Sequence, residues 1–367
     1  MRWILRFLAV ISVVGAGGAI ATAQPAAAPG FPTRESDYVI HNFHFRSGAT
    51  LPEVRIHYTT LGSPVKDKNG HTSNAVLVLH GTSGSGIQFL RPQFANVLYG
   101  PGQPLDITRY FVILPDNLGH GKSTKPSDGM HARFPEYEYA DMIFAQHELM
   151  KGLGVDHLRL VMGTSMGCMH SWMWGETYPD DMDALMPLAC LPVQIAGRNR
   201  MWRKLLMDAI RKDPAWKGGD YTSPPLDGLR TAMDLMVIAG SAPLAMQAQE
   251  STRDAADAWL DKYMGLREKD FEDGTIDAND LWYAFNASRN YDPSPALEKI
   301  KAPVTFVNSA DDFINPPELG IAQKEIARVK RGKFVLIPAS AETHGHATHT
   351  WAVFWQQYLV ELLKESQ

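Results

Sequence analysis

The spacing of apolar residues along this chain predicts a mostly parallel β-sheet wrapped by helices. Residues 38–45 and 54–60 alternate apolar and polar positions, as two opening antiparallel strands do. Ala75–Leu79 and residues 110–114 and 158–161 are compact apolar runs, each followed by Gly or Pro, which suits strands buried on both faces. Residues 137–153 read as a helix, 183–189 as a further strand, 304–308 and 333–337 as the last strands, and 350–363 as a closing helix. Between residue 191 and about 303 the rhythm changes. Met201, Trp202, Trp216, Met233, Met236 and Met246 fall at helical spacing with no clear strand, which predicts a helical insertion. Most of these side chains are expected in core, yet such an insertion also makes a natural cap over a site.

Composition narrows the picture. The 367 residues are 45% hydrophobic and 20% charged, enough for one large core, and no run of Lys or Arg suggests nucleic acid as a partner. Arg2 and Arg6 precede an apolar stretch over residues 7–20, and Ala21-Thr22-Ala23 offers a small-residue cleavage site. The expectation is a signal peptide over residues 1–23, cut before Gln24, then a disordered lead-in over 24–36. The apolar stretch is short for a bilayer span, so no stable membrane insertion is expected after cleavage. The mature chain would then be periplasmic or secreted, and the formal charge of −5 would become −7 with the two arginines gone. The remaining division is a core over 37–191 and 303–367, with the cap at 192–302. Cys168 and Cys190 lie in apolar surroundings and are expected as buried free thiols.

Candidate chemistry centres on Gly163-Thr164-Ser165-Met166-Gly167, placed after a strand and before a helical stretch. A strand–sharp turn–helix needs a strained central residue, and glycine on both sides removes the Cβ atoms that would block it. Ser165 is thereby lifted clear of the sheet at a helix start, whose dipole favours a developing negative charge. A serine hydroxyl is a weak nucleophile near neutral pH and needs a base, which needs an orienting acid. The strand at 304–308 is followed by Asp311 and Asp312, and that at 333–337 by a loop with His344, His346 and His349. Three close histidines also raise a metal site, but no second ligand cluster accompanies them, so neither metal nor cofactor is expected. The Gly-rich run from His80 to Gly86 lacks the Gly-Lys-Ser/Thr ending of a phosphate loop.

The turn at Ser165 and the order Ser, acid, His resemble the α/β-hydrolase fold, an eight-stranded, mostly parallel sheet with flanking helices. The resemblance implies an oxyanion hole of backbone N–H groups, one from Met166 and one after strand Ala75–Leu79, where Thr82 sits. It implies that Asp116-Asn117-Leu118-Gly119-His120-Gly121-Lys122-Ser123 is a structural turn. More closely, Gly163 to Met169, Tyr178-Pro179 and the cap segment Ala209-Ile210-Arg211-Lys212-Asp213-Pro214-Ala215-Trp216 resemble homoserine O-acetyltransferases. That family's Asp-x-x-x-Pro-Pro spacing favours Asp312 over Asp311, and its Gly-His pair favours His346 over His344, with His349 last.

Three departures weigh against the family's namesake reaction. An arginine that holds the substrate carboxylate stands in that family two residues before Ala-Ile, where this chain has Met207. A thioether cannot replace a guanidinium fork, although Arg198, Arg200, Arg203 or Arg211 lie near enough in sequence to compensate. The 116–123 turn follows the general hydrolase pattern, and an exported enzyme meets little acyl-CoA. The reading that results is a serine hydrolase cleaving a small-molecule carboxylic ester through an acyl-enzyme on Ser165. Asp312 and His346 complete its triad, and Met207 and Trp216 wall the pocket. The alternative is an acyl-CoA-dependent O-acyltransferase.

Overall fold

The computed structural model describes residues 30–367; the expected signal peptide and the first part of the lead-in lie outside the described residues. Eight strands form one sheet: β1 (Thr33–His44), β2 (Thr50–Leu61), β3 (Ala75–Leu79), β4 (Phe111–Pro115), β5 (Leu160–Thr164), β6 (Leu185–Leu188), β7 (Val304–Ser309) and β8 (Gly332–Ile337). Their order is β1-β2-β4-β3-β5-β6-β7-β8. β2 pairs antiparallel with β1 and β4, and every later pairing is parallel. β1 begins at Thr33, so the end of the stretch expected as a disordered lead-in is strand, held by pairing to β2 as far as Leu61.

The helices in chain order are α1 (Pro92–Leu98), α2 (Tyr139–Gly152), α3 (Met166–Thr177), α4 (Gly197–Lys212), α5 (Leu226–Gly240), α6 (Pro243–Gln249), α7 (Arg253–Glu272), α8 (Ala278–Asn286), α9 (Ile321–Ile326) and α10 (Gln356–Glu365). The period-2 geometry of strands sorts the core between two faces. Leu77, Ile113 and Val161 join Met142, Leu149, Trp172 and Trp174 of α2 and α3 on one face. Val76, Val78, Val112, Leu114 and Met162 join Phe94 of α1 and Leu359 of α10 on the other. Each such buried side chain is worth about 1.5–3 kcal/mol relative to exposure, so both faces must be covered for the sheet to stand.

Two expectations are corrected here. The closing helix does not run from 350: its start is two short 3-10 turns, Gly345–Thr350 and Ala352–Phe354. Trp351 (ψ 88°) and Trp355 (φ −136°) leave helical geometry so that the Trp355 indole can fill the second face. Nor are the cysteines free. Cys168, in the first turn of α3, and Cys190, just after β6, are disulfide-bonded, their Cα atoms 5.8 Å apart. Parallel pairing of β5 with β6 brings the elements that follow them side by side, at ordinary disulfide spacing.

The insertion is helical as expected: α4 to α8 form it, with its own cluster of Leu206, Met207, Ile210, Leu229, Met233, Phe271, Leu281 and Phe285. Among the described residues no helix is long and apolar enough to cross a membrane.

Candidate active site

Ser165 stands between β5 and α3 with φ 55° and ψ −107°, a backbone state that L-residues rarely adopt. The flanking glycines are steric requirements. A Cβ on Gly163 would lie 2.2 Å from the Gly167 carbonyl oxygen, and one on Gly167 would lie 1.9 Å from that of Leu79. The Ser165 N–H donates to Leu188 O at 2.9 Å, which fixes the turn to β6.

The Ser165 hydroxyl donates to His346 Nε2 at 2.8 Å. His346 Nδ1 lies 2.9 Å from Asp312 Oδ2, and because a carboxylate only accepts, Nδ1 carries the proton. Asp312 is buried. Burial alone pushes its carboxyl up, but His346, Asn315 and the Ile314 N–H outweigh this and hold it below the usual carboxylate range. Asn315 Nδ2 donates to the same Oδ2 at 3.0 Å, and the Ile314 N–H to Oδ1 at 2.8 Å.

The other candidates in these loops are placed elsewhere. His344 stacks on the Trp351 ring, with centroids 4.1 Å apart. His349 is half-buried with its ring 5.1 Å from that of His346, and desolvation pushes its imidazole down to about 3. The three histidines therefore do not converge, and no group of three metal-ligating side chains is found among the described residues. Asp311 is more than a solvated turn charge. Its Oδ2 accepts from the Thr343 hydroxyl at 2.8 Å and from the Gly345 N–H at 3.1 Å, while Ser309 contacts its other oxygen. Asp311 thus ties the loop after β7 to the residue before His346.

Thr82 and Met166 flank the serine. Met166 is the first residue of α3 and directly follows Ser165. Thr82 lies in the loop after β3, where a Cβ on Gly81 would sit 3.4 Å from Ser165 Cβ. Among the described residues nothing accepts a hydrogen bond from either backbone N–H. The 116–123 turn supports this loop from below. Asp116 accepts from the Gly86 and Lys122 N–H groups at 2.7 and 2.8 Å, and the buried His80 accepts from the Asn117 N–H at 2.9 Å. His120 is buried within the turn, and its Nδ1 donates to Leu118 O at 3.1 Å.

Two cavities approach the site through different walls. One, about 310 Å³, lies between the loop at Ser83–Gln88 and the cap, with Met233 and Met236 among its lining. The other, about 920 Å³, is bounded by Met169, Asp312, Phe313, Ile195 and Ile238. Met207 and Trp216 line neither. Met207 is 6% exposed within the cap's own cluster, and Trp216 packs against it with its indole N–H on Asn279 Oδ1 at 2.9 Å. The cap does present methionines to a cavity, but from α5 rather than α4. Of the nearby arginines, Arg198 lies over the Phe313 ring at 4.0 Å and Arg211 near Trp282 at 5.7 Å, whereas Arg203 is buried.

A serine on a strained strand-to-helix turn, at the carboxyl end of a parallel sheet, defines a class. Residues 74–341 match the α/β-hydrolase fold, and the chain belongs to that family. Within it the chain falls in the homoserine O-acetyltransferase-like branch. It is 30% identical over 341 residues to a homoserine O-acetyltransferase of Geotalea daltonii, covering 83% of this chain and 90% of that one. It is 36% identical over 203 residues to a homoserine O-acetyltransferase of Thermobifida fusca, where the alignment spans only 52% of each. The fold also matches the crystal structure of an acetylester hydrolase from Corynebacterium glutamicum (TM-score 0.75, 21% identity, 90% of this chain and 96% of that one).

Proposed function

We propose that this protein is an exported serine esterase acting on a small-molecule carboxylic ester. The observation that carries the reading is the unbroken hydrogen-bond chain from Ser165 through His346 to Asp312. In the first step Ser165 Oγ attacks the ester carbonyl while His346 Nε2 takes its proton. The negative charge that forms on the carbonyl oxygen is met by the Thr82 and Met166 N–H groups. Collapse breaks the ester C–O bond, and His346 returns the proton to the departing alcohol. Water then repeats the sequence on the acyl-enzyme, releasing the acid and regenerating Ser165. Asp312 holds the imidazole in the tautomer that both steps need and stabilises its cation.

An acceptor alcohol in place of water would make the same site an acyltransferase, and the names of the relatives favour that second reading. Two observations weigh toward hydrolysis. Met207, buried in the cap, offers no charge at the position where acetyltransferases hold a carboxylate. The Cys168–Cys190 bond suits an oxidising, exported setting poor in acyl-CoA. The deciding experiment measures short-chain p-nitrophenyl ester hydrolysis beside product analysis with acetyl-CoA and homoserine at millimolar levels. Ester hydrolysis without O-acetylhomoserine is expected; O-acetylhomoserine at a comparable rate would overturn the hydrolase reading.

A further inference from the structure

Arg203 is 2% exposed and no carboxylate of the described residues pairs with it. Its Nε donates to Asn199 Oδ1 at 2.9 Å and one terminal nitrogen to Ser288 Oγ at 3.3 Å. Its titratable neighbours are the Tyr139 phenol and a second cation, Arg200. The rings of Trp202 and Phe285 lie 5.7 and 5.5 Å from its guanidinium carbon and cannot neutralise it. A buried charge without a counter-charge is costly, and an arginine cannot escape that cost by losing its proton. Such a charge calls for a negative partner that is present only some of the time.

The surroundings show where that partner forms. The Tyr139 hydroxyl, at the start of α2, sits among Arg203, Ser288 and the Thr82 hydroxyl. It is aligned as a hydrogen bond with none of them, and the Thr82 hydroxyl is likewise buried and unmatched. Arg203 is therefore separated from the oxyanion loop by one phenol. Buried as it is, the guanidinium has no open face to grip a substrate group directly. A negative charge does develop beside Thr82 during acyl transfer, in a site where low dielectric lets a nearby cation act over several ångströms.

Resting on the esterase reading of the site, we propose that Arg203 stabilises the transition-state oxyanion from behind, through Tyr139 and Thr82. It is a positioning residue: from behind the Tyr139 and Thr82 hydroxyls it biases the field at the oxyanion hole without touching the substrate. Because Arg203 belongs to α4, the cap supplies this charge to a site whose reacting groups all belong to the core.

The test compares wild type with Arg203→Met and Arg203→Lys on a neutral p-nitrophenyl ester and on one whose acyl group carries a carboxylate. Removing a direct oxyanion donor costs roughly 100- to 1,000-fold in kcat; a charge one residue removed should cost less. Arg203→Met should lower kcat about 10- to 50-fold on both esters with KM within about twofold. Its affinity for a phenylboronic acid, which forms an anionic tetrahedral adduct on the serine, should fall in parallel. The melting temperature of Arg203→Met should hold or rise, since an apolar side chain relieves an uncompensated buried charge. Arg203→Lys should recover most of kcat and boronate affinity. Unchanged kcat in Arg203→Met would overturn the proposal, as would a loss lying in KM and confined to the carboxylate ester, which would make Arg203 a substrate clamp. If Arg203→Met does not fold, Arg203→Gln takes its place, with the same fall in kcat and boronate affinity expected and wild-type values overturning the proposal. A wild type inactive on every ester would instead refute the esterase reading itself.

Discussion

The sheet and the cap bury apolar surface in different ways, and the chemistry divides along the same line. Every residue of β3, β4 and β5 is buried, because helices cover both faces. The cap is one thin layer: Leu206, Met207, Ile210 and Phe285 turn inward, while Met201, Leu205, Ile238, Leu244, Leu260 and Leu266 remain exposed. Ser165, Asp312 and His346 all project from loops at the ends of core strands, so the sheet sets their spacing at 2.8 Å from Ser165 to His346 and 2.9 Å from His346 to Asp312. The cap contributes cavity wall and one buried charge. On the proposed reading, the core strands hold the reacting atoms and the cap shapes what they meet.

That division breaks most visibly at the nucleophile. Ser165→Ala should lower ester turnover by several orders of magnitude, about 10⁴-fold or more, while the circular dichroism spectrum stays native. A fluorophosphonate probe should label wild type at Ser165 and leave the variant unlabelled; labelling at another residue would sink the assignment. Next in size is the contrast between adjacent acids. Asp312→Asn should cost roughly 10³- to 10⁴-fold in kcat because the histidine loses its orienting acceptor. Asp311→Asn only loosens the loop before His346 and should cost about tenfold. Equal losses from the two variants would mean that loop anchoring and acid partnership are not separable here.

The core should also be more sensitive to acid than the cap. His80, His120 and His349 are pushed by burial to about 4, 3 and 3, and burial likewise holds His170 well below the ordinary value. All four lie in the core. In the unfolded chain each takes up a proton near pH 6.5, so their contribution is full above that pH and is lost as pH falls toward 3–4. Each costs about 1.4 kcal/mol per pH unit across the interval. Glu176, raised by burial to about 7, works in the opposite sense, as do Asp116, Asp141, Asp270 and Asp280, whose carboxyls burial also raises. Urea midpoints should therefore fall from pH 7 to pH 5, and a flat profile would contradict neutral burial of these rings. The smallest expected effect belongs to the cap: Met236→Ala should shift KM for longer acyl chains by a fewfold and leave kcat for acetyl esters unchanged.

How much of this was legible depended on how local each signal is. The buried strands stood out because a short, continuous apolar run bounded by Gly or Pro suits little besides a strand covered on both faces. Ser165 was marked by its glycines, and the spacing to Pro316 picked the acid that does reach His346. The wall residues were misplaced because helical spacing shows that Met207 and Trp216 are inward-facing without showing toward what. The Cys168–Cys190 bond depended on strand neighbours that no local pattern specifies. The role of Asp311 was hidden because its partners Thr343 and Gly345 arrive from another loop. Arg203 did leave a local signal: with Leu206, Met207 and Ile210 it stands at i, i+3, i+4 and i+7, on the buried stripe of α4. A charge in that register belongs inside.

The first strand also bears on how copies of this chain meet in solution. β1 is twelve residues long and, among the described residues, pairs with β2 alone, so its other edge is the kind of template on which a second chain could add a strand. Most of its residues are exposed, and Arg34, Glu35, Asp37 and His41 distribute charge along it. An incoming β-strand would have to desolvate these groups to gain its backbone hydrogen bonds. Glu35 and Asp37 are further engaged by Lys122 and His57, so they are not free to turn aside. The opposite edge, β8, is half as long and is guarded by Lys333 paired with Glu361 of α10. Polar edges at both ends make it costly for the sheet to grow into a fibre by adding strands.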